Sequence, residues 1–308
     1  MPPFTRAPFD RCIGLGSIQG NKTAASLEGI LDSLRFALQG TSVTRTKIGD
    51  AADSTTTRLD FHKKLDDLQN LPLFTSLAGQ LIIKPVTAND LMDTARNNFN
   101  AIVALQDLSP FTLSAATQAG YSALESNWQS TRAADYAAWN ADKVVTSPAA
   151  MPVNFSDNWI ADRSALLRAI SVRNTQDNTS GLVYDVGASA DRTLLFQWFG
   201  ADPLPGQTQP GQATLYYQRQ GGLSPKEQFI AFGDDQANTL TGTPNTLGDR
   251  LYGGAGADTL DGQGGADYLE GGKDLDTYNF TGSFGIDTIL DSDGQGELKF
   301  DGTALRVC

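Results

Sequence analysis

The sequence predicts a mainly helical N-terminal region over residues 1–173, a small β segment over 174–232, and a C-terminal array of repeated turns and very short strands over 233–308. Three observations predict it. Apolar residues recur at helical spacing in several stretches before residue 173. Runs rich in β-branched and aromatic residues, set between Gly and Pro, follow from 182 to 232. After that the composition shifts: residues 233–308 hold 14 of the 35 acidic residues, 4 of the 23 basic ones and 16 of the 31 glycines.

The elements follow in chain order. Residues 24–39 place Leu27, Ile30, Leu31, Leu34 and Leu38 on one helical face. Residues 89–107 do the same with Leu91, Phe99, Ile102, Val103 and Leu105, behind a cap at Asn89. The Ala-rich run 112–143 reads as helix and carries Tyr121, Leu124, Trp128, Tyr136 and Trp139. Pro148 and Pro152 end it, and Ser156 caps a further helix with Trp159, Ile160, Leu166, Leu167 and Ile170. Strands are expected at Leu182–Tyr184, Thr193–Phe199, Thr214–Tyr217 and Phe229–Phe232, with a loop marked by Pro203, Pro205, Gly206, Pro210 and Gly211.

The charge balance narrows the function. A net charge of −12 argues against nucleic acid, whose binding needs a basic face. Hydrophobic residues at 40 % are enough for a packed core, and no apolar run reaches the ~18 residues of a membrane-spanning helix. No apolar stretch follows Arg6, so no cleavable N-terminal signal peptide is expected. Cys12 and Cys308 read as incidental thiols, without CxxC or Cys/His spacing.

Acid and glycine are enriched together because they repeat. Residues 253–261 (GGAGADTLD), 262–270 (GQGGADYLE) and 271–279 (GGKDLDTYN) share a nine-residue period, with Asp at position six and a large apolar residue at position eight. Upstream, 244–252 keeps Asp249 and Leu251, and after a two-residue slip 233–241 keeps Leu240 but has Asn238 for Asp. Downstream, a slip at Phe280-Thr281 leads to Gly282, Gly285, Asp287 and Ile289. Glycine admits backbone with φ > 0 and lets carbonyl oxygens turn inward. Calcium takes six to eight oxygens at about 2.3–2.6 Å, which carbonyls and one carboxylate per turn can supply.

This pattern resembles the RTX, or haemolysin-type, calcium-binding nonapeptide over residues 233–290. The resemblance implies a parallel β-roll in which two nonapeptides make one coil, so turns two repeats apart share an edge. It puts Asp249, Asp267 and Asp287 on one edge, Asp258 and Asp276 on the other, and Leu251, Leu260, Leu269, Tyr278 and Ile289 inside. The implied calcium set is Asp249, Gly253, Gly254, Gly256, Asp258, Gly262, Gly264, Asp267, Gly271, Asp274, Asp276 and Asp287. Asp274 stands where a third glycine is expected, and either adds a ligand or strains the turn.

Carboxylates about 4 Å apart repel by about 4 kcal/mol at an effective dielectric of about 20. The roll is therefore expected to fold as it binds calcium, at the ~10⁻⁴–10⁻³ M typical of extracellular modules. In the family this switch accompanies secretion of a bacterial, toxin-like chain through a type I secretion apparatus. The stretches Asn98–Leu105, Leu108–Phe111 and Asn154–Trp159 look like the region before the repeats in large RTX proteins, some of which carry a lipase domain. The chain ends at Cys308, soon after its repeats, which reads as a fragment or truncated copy.

No G-x-S-x-G elbow occurs; Gly40–Thr44 lacks the second glycine. Gly14–Thr23 fails the phosphate-loop spacing, which needs Gly directly before Lys. The lone histidine, His62, rules out HExxH zinc and reads as a surface helix residue. The expectation is a secreted calcium-binding protein without catalysis. The alternative is an RTX-family lipase or hydrolase with an unrecognised or missing active site.

Overall fold

The computed structural model describes residues 24–40, 44, 54–86, 91–92, 94–109, 111–143, 152–175, 183–184, 192–198, 213–217, 226–244 and 247–305. The readings made on Cys12, Cys308, Gly14–Thr23, Asn89, Pro148 and the Pro203–Gly211 loop lie outside them. The chain divides into two compact units, Met1–Thr146 and Ser147–Cys308.

The first unit holds helices α1 (Ala24–Gln39), α2 (Ser54–Gln69), α3 (Pro72–Ser76), α4 (Phe99–Gln106), α5 (Gln118–Thr131) and α6 (Ala133–Lys143), with antiparallel strands β1 (Leu81–Pro85) and β2 (Phe111–Ala115). Ile30, Leu31, Leu34 and Leu38 are buried, as the periodicity of α1 predicts. α4 begins at Asn98, whose side chain accepts the Asn100 N–H. The single helix expected over 112–143 is instead a strand and two helices. Phe111 and Leu113 face inward while Thr112 and Ser114 alternate outward, a period of two. Buried Asn100 fixes the strand, accepting the Leu113 N–H at 3.0 Å and donating to its carbonyl. Thr117 then caps α5 by accepting the Gly120 N–H. Arg132 separates α5 from α6, and its buried guanidinium donates to Asp107 at 2.6 Å and to the Phe36 carbonyl at 2.9 Å. His62 is exposed on α2, as expected.

The second unit starts with α7 (Asp157–Thr175), capped by Ser156, which accepts the Trp159 N–H at 3.0 Å. Strands β3 (Val183–Tyr184), β4 (Arg192–Trp198), β5 (Ala213–Tyr217), β6 (Lys226–Phe232), β8 (Arg250–Ala255), β10 (Tyr268–Lys273) and β12 (Thr288–Leu290) form one seven-stranded sheet, ordered β12-β10-β8-β6-β4-β5-β3. Strands β7 (Thr239–Thr241), β9 (Thr259–Asp261), β11 (Thr277–Phe280), β13 (Glu297–Phe300) and β14 (Thr303–Ala304) form the other, ordered β14-β13-β11-β9-β7. From β6 to β13 the chain alternates between the sheets, and within each sheet these strands pair in parallel; β14 then returns antiparallel to β13. This is a parallel β-solenoid of about three turns. The strands of the connecting segment continue its larger sheet.

The position-eight residues fill the space between the sheets. Leu240, Leu251, Leu260, Leu269 and Tyr278 are buried there, with Ile289 and Leu298 packed against them. Aligned pairs such as Leu251↔Leu269 and Leu260↔Tyr278 stack one coil on the next. One extra pair of residues falls between β7 and β8 and the other where β11 runs to Phe280. Phe280, Phe284 and Phe300 close the end of the roll, with Phe280 and Phe300 stacked at 4.8 Å.

Candidate metal centre

Both edges of the roll are lined by turns whose sixth residue is Asp in all but the first and last turns of one edge. One edge carries Asp249, Asp267 and Asp287; the other carries Asn238, Asp258 and Asp276. The two sheets put them there, because each turn links a strand of one sheet to a strand of the other. Asp249, Asp258, Asp267 and Asp276 are at most 1 % exposed.

The two oxygens of each carboxylate live in unlike surroundings. Oδ1 caps the coil before it. The Asp249 N–H donates to Asp267 Oδ1 at 2.7 Å, Asp258 N–H to Asp276 at 2.9 Å, Asn238 N–H to Asp258 at 2.7 Å and Asp267 N–H to Asp287 at 2.9 Å. The following residue returns the bond: Tyr268 N–H donates to the Asp249 carbonyl and Thr277 N–H to that of Asp258. Oδ2 turns back into its own turn. In Asp258, Asp267 and Asp276 it is buried and has no hydrogen-bond partner.

The first glycine of each turn makes room for that oxygen. A Cβ on Gly253 would stand 2.4 Å from Asp258 Oδ2 and 2.5 Å from the Gly271 carbonyl oxygen of the next coil. On Gly262 it would lie 2.3 Å from Asp267 Oδ2, and on Gly271 2.2 Å from Asp276 Oδ2. At Gly253 carboxylate and carbonyl oxygens thus converge on a cradle that any side chain would fill; at Gly271 the second oxygen is the Tyr278 hydroxyl, which also accepts the Gly271 N–H at 3.1 Å. Gly254 and Gly256 hold φ of +107° and +96°, and Gly264 approaches the Ser283 carbonyl of the neighbouring turn. Asp274 adopts the left-handed φ of +77° that its glycine counterpart would take, and its Oδ2 accepts the Gly256 N–H at 3.1 Å. Its own N–H donates to Asp293 at 2.8 Å, so it extends a second ladder along that edge. Asp287 is half-buried.

Burial raises these carboxyls. Asp258 is pushed up to about 7, burial outweighing the Asn238 N–H that lowers it, and the charges of Asp276, Asp234 and Asp274 add to the rise. Asp267 is likewise raised to about 7, by burial and then by Asp287, Asp249 and Asp261. Asp276 rises to about 6, by burial and then by Asp291, Asp293 and Asp274. Asp249 and Asp287 are raised too, again mainly by burial. Buried anions without a counter-charge are costly, and a cation relieves that cost. Among the described residues no three His, Cys, Asp or Glu side chains gather into a cage. The donor set is one carboxylate oxygen per turn with backbone carbonyls, all hard oxygens, which suits calcium.

Residues 245–278 match the family profile described as the RTX calcium-binding nonapeptide repeat (4 copies). The segment is an RTX repeat. RTX repeats bind calcium, and the orphaned oxygens of this roll fit that cation. No curated protein and no solved structure matches the chain.

Sequence reasoning missed what covers the outer face of the RTX roll. Asp162 of α7 pairs with Arg250 at 2.9 Å and accepts the Tyr252 hydroxyl at 2.6 Å. Glu270 accepts the Ser156 hydroxyl at 2.6 Å and that of Tyr268 at 2.9 Å. Arg163 lies 4.8 Å over the Phe232 ring, which stacks on Tyr252. The signal was present: Phe232, Tyr252 and Tyr268 are large aromatics at positions a free roll would expose. No helix among the described residues is long and apolar enough to cross a membrane.

Proposed function

We propose that this chain is a secreted, toxin-like bacterial protein whose RTX roll folds around calcium outside the cell. The observation that carries the reading is the set of three buried carboxylate oxygens, on Asp258, Asp267 and Asp276, that have no protein partner. These three aspartates, Asp267 on one edge and Asp258 and Asp276 on the other, with carbonyls of the turns at Gly253, Gly262 and Gly271, would hold the ions. Calcium supplies the positive charge and the oxygen-rich coordination that the edges lack. Binding free energy then becomes folding free energy. At the low calcium of a cytosol the carboxylates keep the roll open, and at extracellular calcium it closes. An export channel that passes unfolded chains, of the type I kind, is the partner this switch serves. The first unit and α7 are the cargo, and we assign the chain no chemistry of its own.

The test is hydrogen exchange of the full chain, titrated with calcium and separately with magnesium. Amides of 226–300 should gain protection near 10⁻⁴–10⁻³ M calcium, at the level of extracellular modules, and not with magnesium. The double variant Asp258→Ala, Asp267→Ala should lose the gain. Equal protection with and without calcium would sink the folding switch.

A further inference from the structure

The end turns of the roll differ from its interior in what each carboxylate touches. In the interior, Oδ2 of Asp258, Asp267 and Asp276 is buried and unpartnered. At the start of one edge, Asp249 Oδ2 accepts the Thr243 N–H at 2.5 Å and the Thr243 hydroxyl at 2.9 Å. At the start of the other, Asn238 replaces the acid, and its Oδ1 accepts the Asp234 N–H at 2.8 Å. At the far end of that second edge, acid and glycine have exchanged places. Asp291 opens the turn and Gly296 closes it, the reverse of Gly253 and Asp258. Asp291 Oδ2 nevertheless reaches the same cradle, 2.4 Å from where a Gly296 Cβ would stand. There it accepts the Tyr278 hydroxyl at 3.0 Å, while its Oδ1 accepts the Gly294 N–H at 2.7 Å.

We infer that Thr243 and Tyr278 stand in for a cation at the turns of Asp249 and Asp291, so that these two carboxylates hold no calcium while those of Asp258, Asp267 and Asp276 do. The inference rests on the calcium reading above and sets its limits. A cation held between stacked turns needs oxygens from both sides. An end turn has one neighbour, so a terminal repeat must close by other means. A hydroxyl or N–H supplies one donor to one oxygen and needs no second turn. Tyr278 serves because it sits at position eight, where other repeats carry Leu or Ile; its ring fills the core and its hydroxyl bridges two stacked turns, accepting the Gly271 N–H and donating to Asp291. Thr243 serves because it takes the place of the second glycine and brings a hydroxyl against Asp249. Asp249 and Asp291 are therefore structural carboxylates here.

The test is a crystal structure of the calcium-loaded full chain, with ions located by their anomalous signal. Calcium bound at saturation is counted in parallel for the wild type, Asp249→Asn, Asp291→Asn and Asp267→Asn. Ions should lie against Asp258, Asp267 and Asp276 and be absent from Asp249 and Asp291. Asp267→Asn should lower the calcium count, while Asp249→Asn and Asp291→Asn keep it. An ion against Asp249 or Asp291, or a loss in either variant equal to that in Asp267→Asn, overturns the inference. Should a variant fail to fold, the ion positions in the wild type decide. Absence of calcium throughout would overturn the calcium reading itself, a separate outcome.

Discussion

Asp258, Asp267 and Asp276 carry a conflict that only a cation or a proton resolves. One oxygen of each is tied to the neighbouring coil and the other is buried without a donor. Burial lifts the first two to about 7 and the third to about 6. These folded-state values lie above the ordinary carboxylate value of 3.8. In the calcium-free roll the contribution is thus fully present below about pH 4 and lost as pH rises through 6 to 7. Calcium affinity runs the other way, since the proton must leave before the oxygen can ligate. We predict that the chelated protein melts higher at about pH 5 than at about pH 8, and that calcium binds more weakly at the lower pH. Thermal melts in chelator and calcium titrations at both values check this. A chelated melting point that does not fall toward pH 8 would refute it.

Among the elements, α7 and strands β8 and β10 form one assembly. Asp162 bridges to Arg250 and Tyr252, and Ser156 bridges to Glu270 in the adjacent strand. The register aligns Arg250 with Tyr268 and Tyr252 with Glu270, so the contacts fall side by side. Breaking a buried pair by removing one partner costs about 3 kcal/mol, and removing the Tyr252 hydroxyl about 1 kcal/mol. Asp162→Ala and Tyr252→Phe should lower the urea stability of the calcium-saturated protein by about these amounts. The phase of the roll was legible in the sequence because its nine-residue period fixes which residue turns inward: Leu251, Leu260 and Leu269 are buried as expected. The cover on its outer face was not, since Arg250 and Glu270 look like solvent-facing residues until α7 is laid on them. Strand β2 was hidden for another reason. Five residues of alternation carry little signal beside a long Ala-rich helical run, and what holds them is Asn100, distant in sequence.

The whole chain divides between a helical unit with its own core and a unit built around the roll. The first packs Phe99, Trp128, Tyr136 and Trp139 against one another. Calorimetry of the full chain should show calcium raising the transition of residues 147–308 while that of the helical unit stays in place. A site filled at 100 times its Kd adds about 2.7 kcal/mol. A single transition that moves as one with calcium would contradict the division. The Oδ1 ladder adds a direction to the second unit. Each aspartate accepts the N–H of the coil before it, Asp267 from Asp249 and Asp276 from Asp258, never the reverse. Growth from the C-terminal end therefore lays every new coil onto acceptors already fixed in place. Growth from the N-terminal end instead lays the Tyr268 and Thr277 N–H groups onto the carbonyls of Asp249 and Asp258. The side-chain ladder thus has a polarity that the backbone ladder beside it balances: carboxylates reach back to the earlier coil while carbonyls reach forward to the later one.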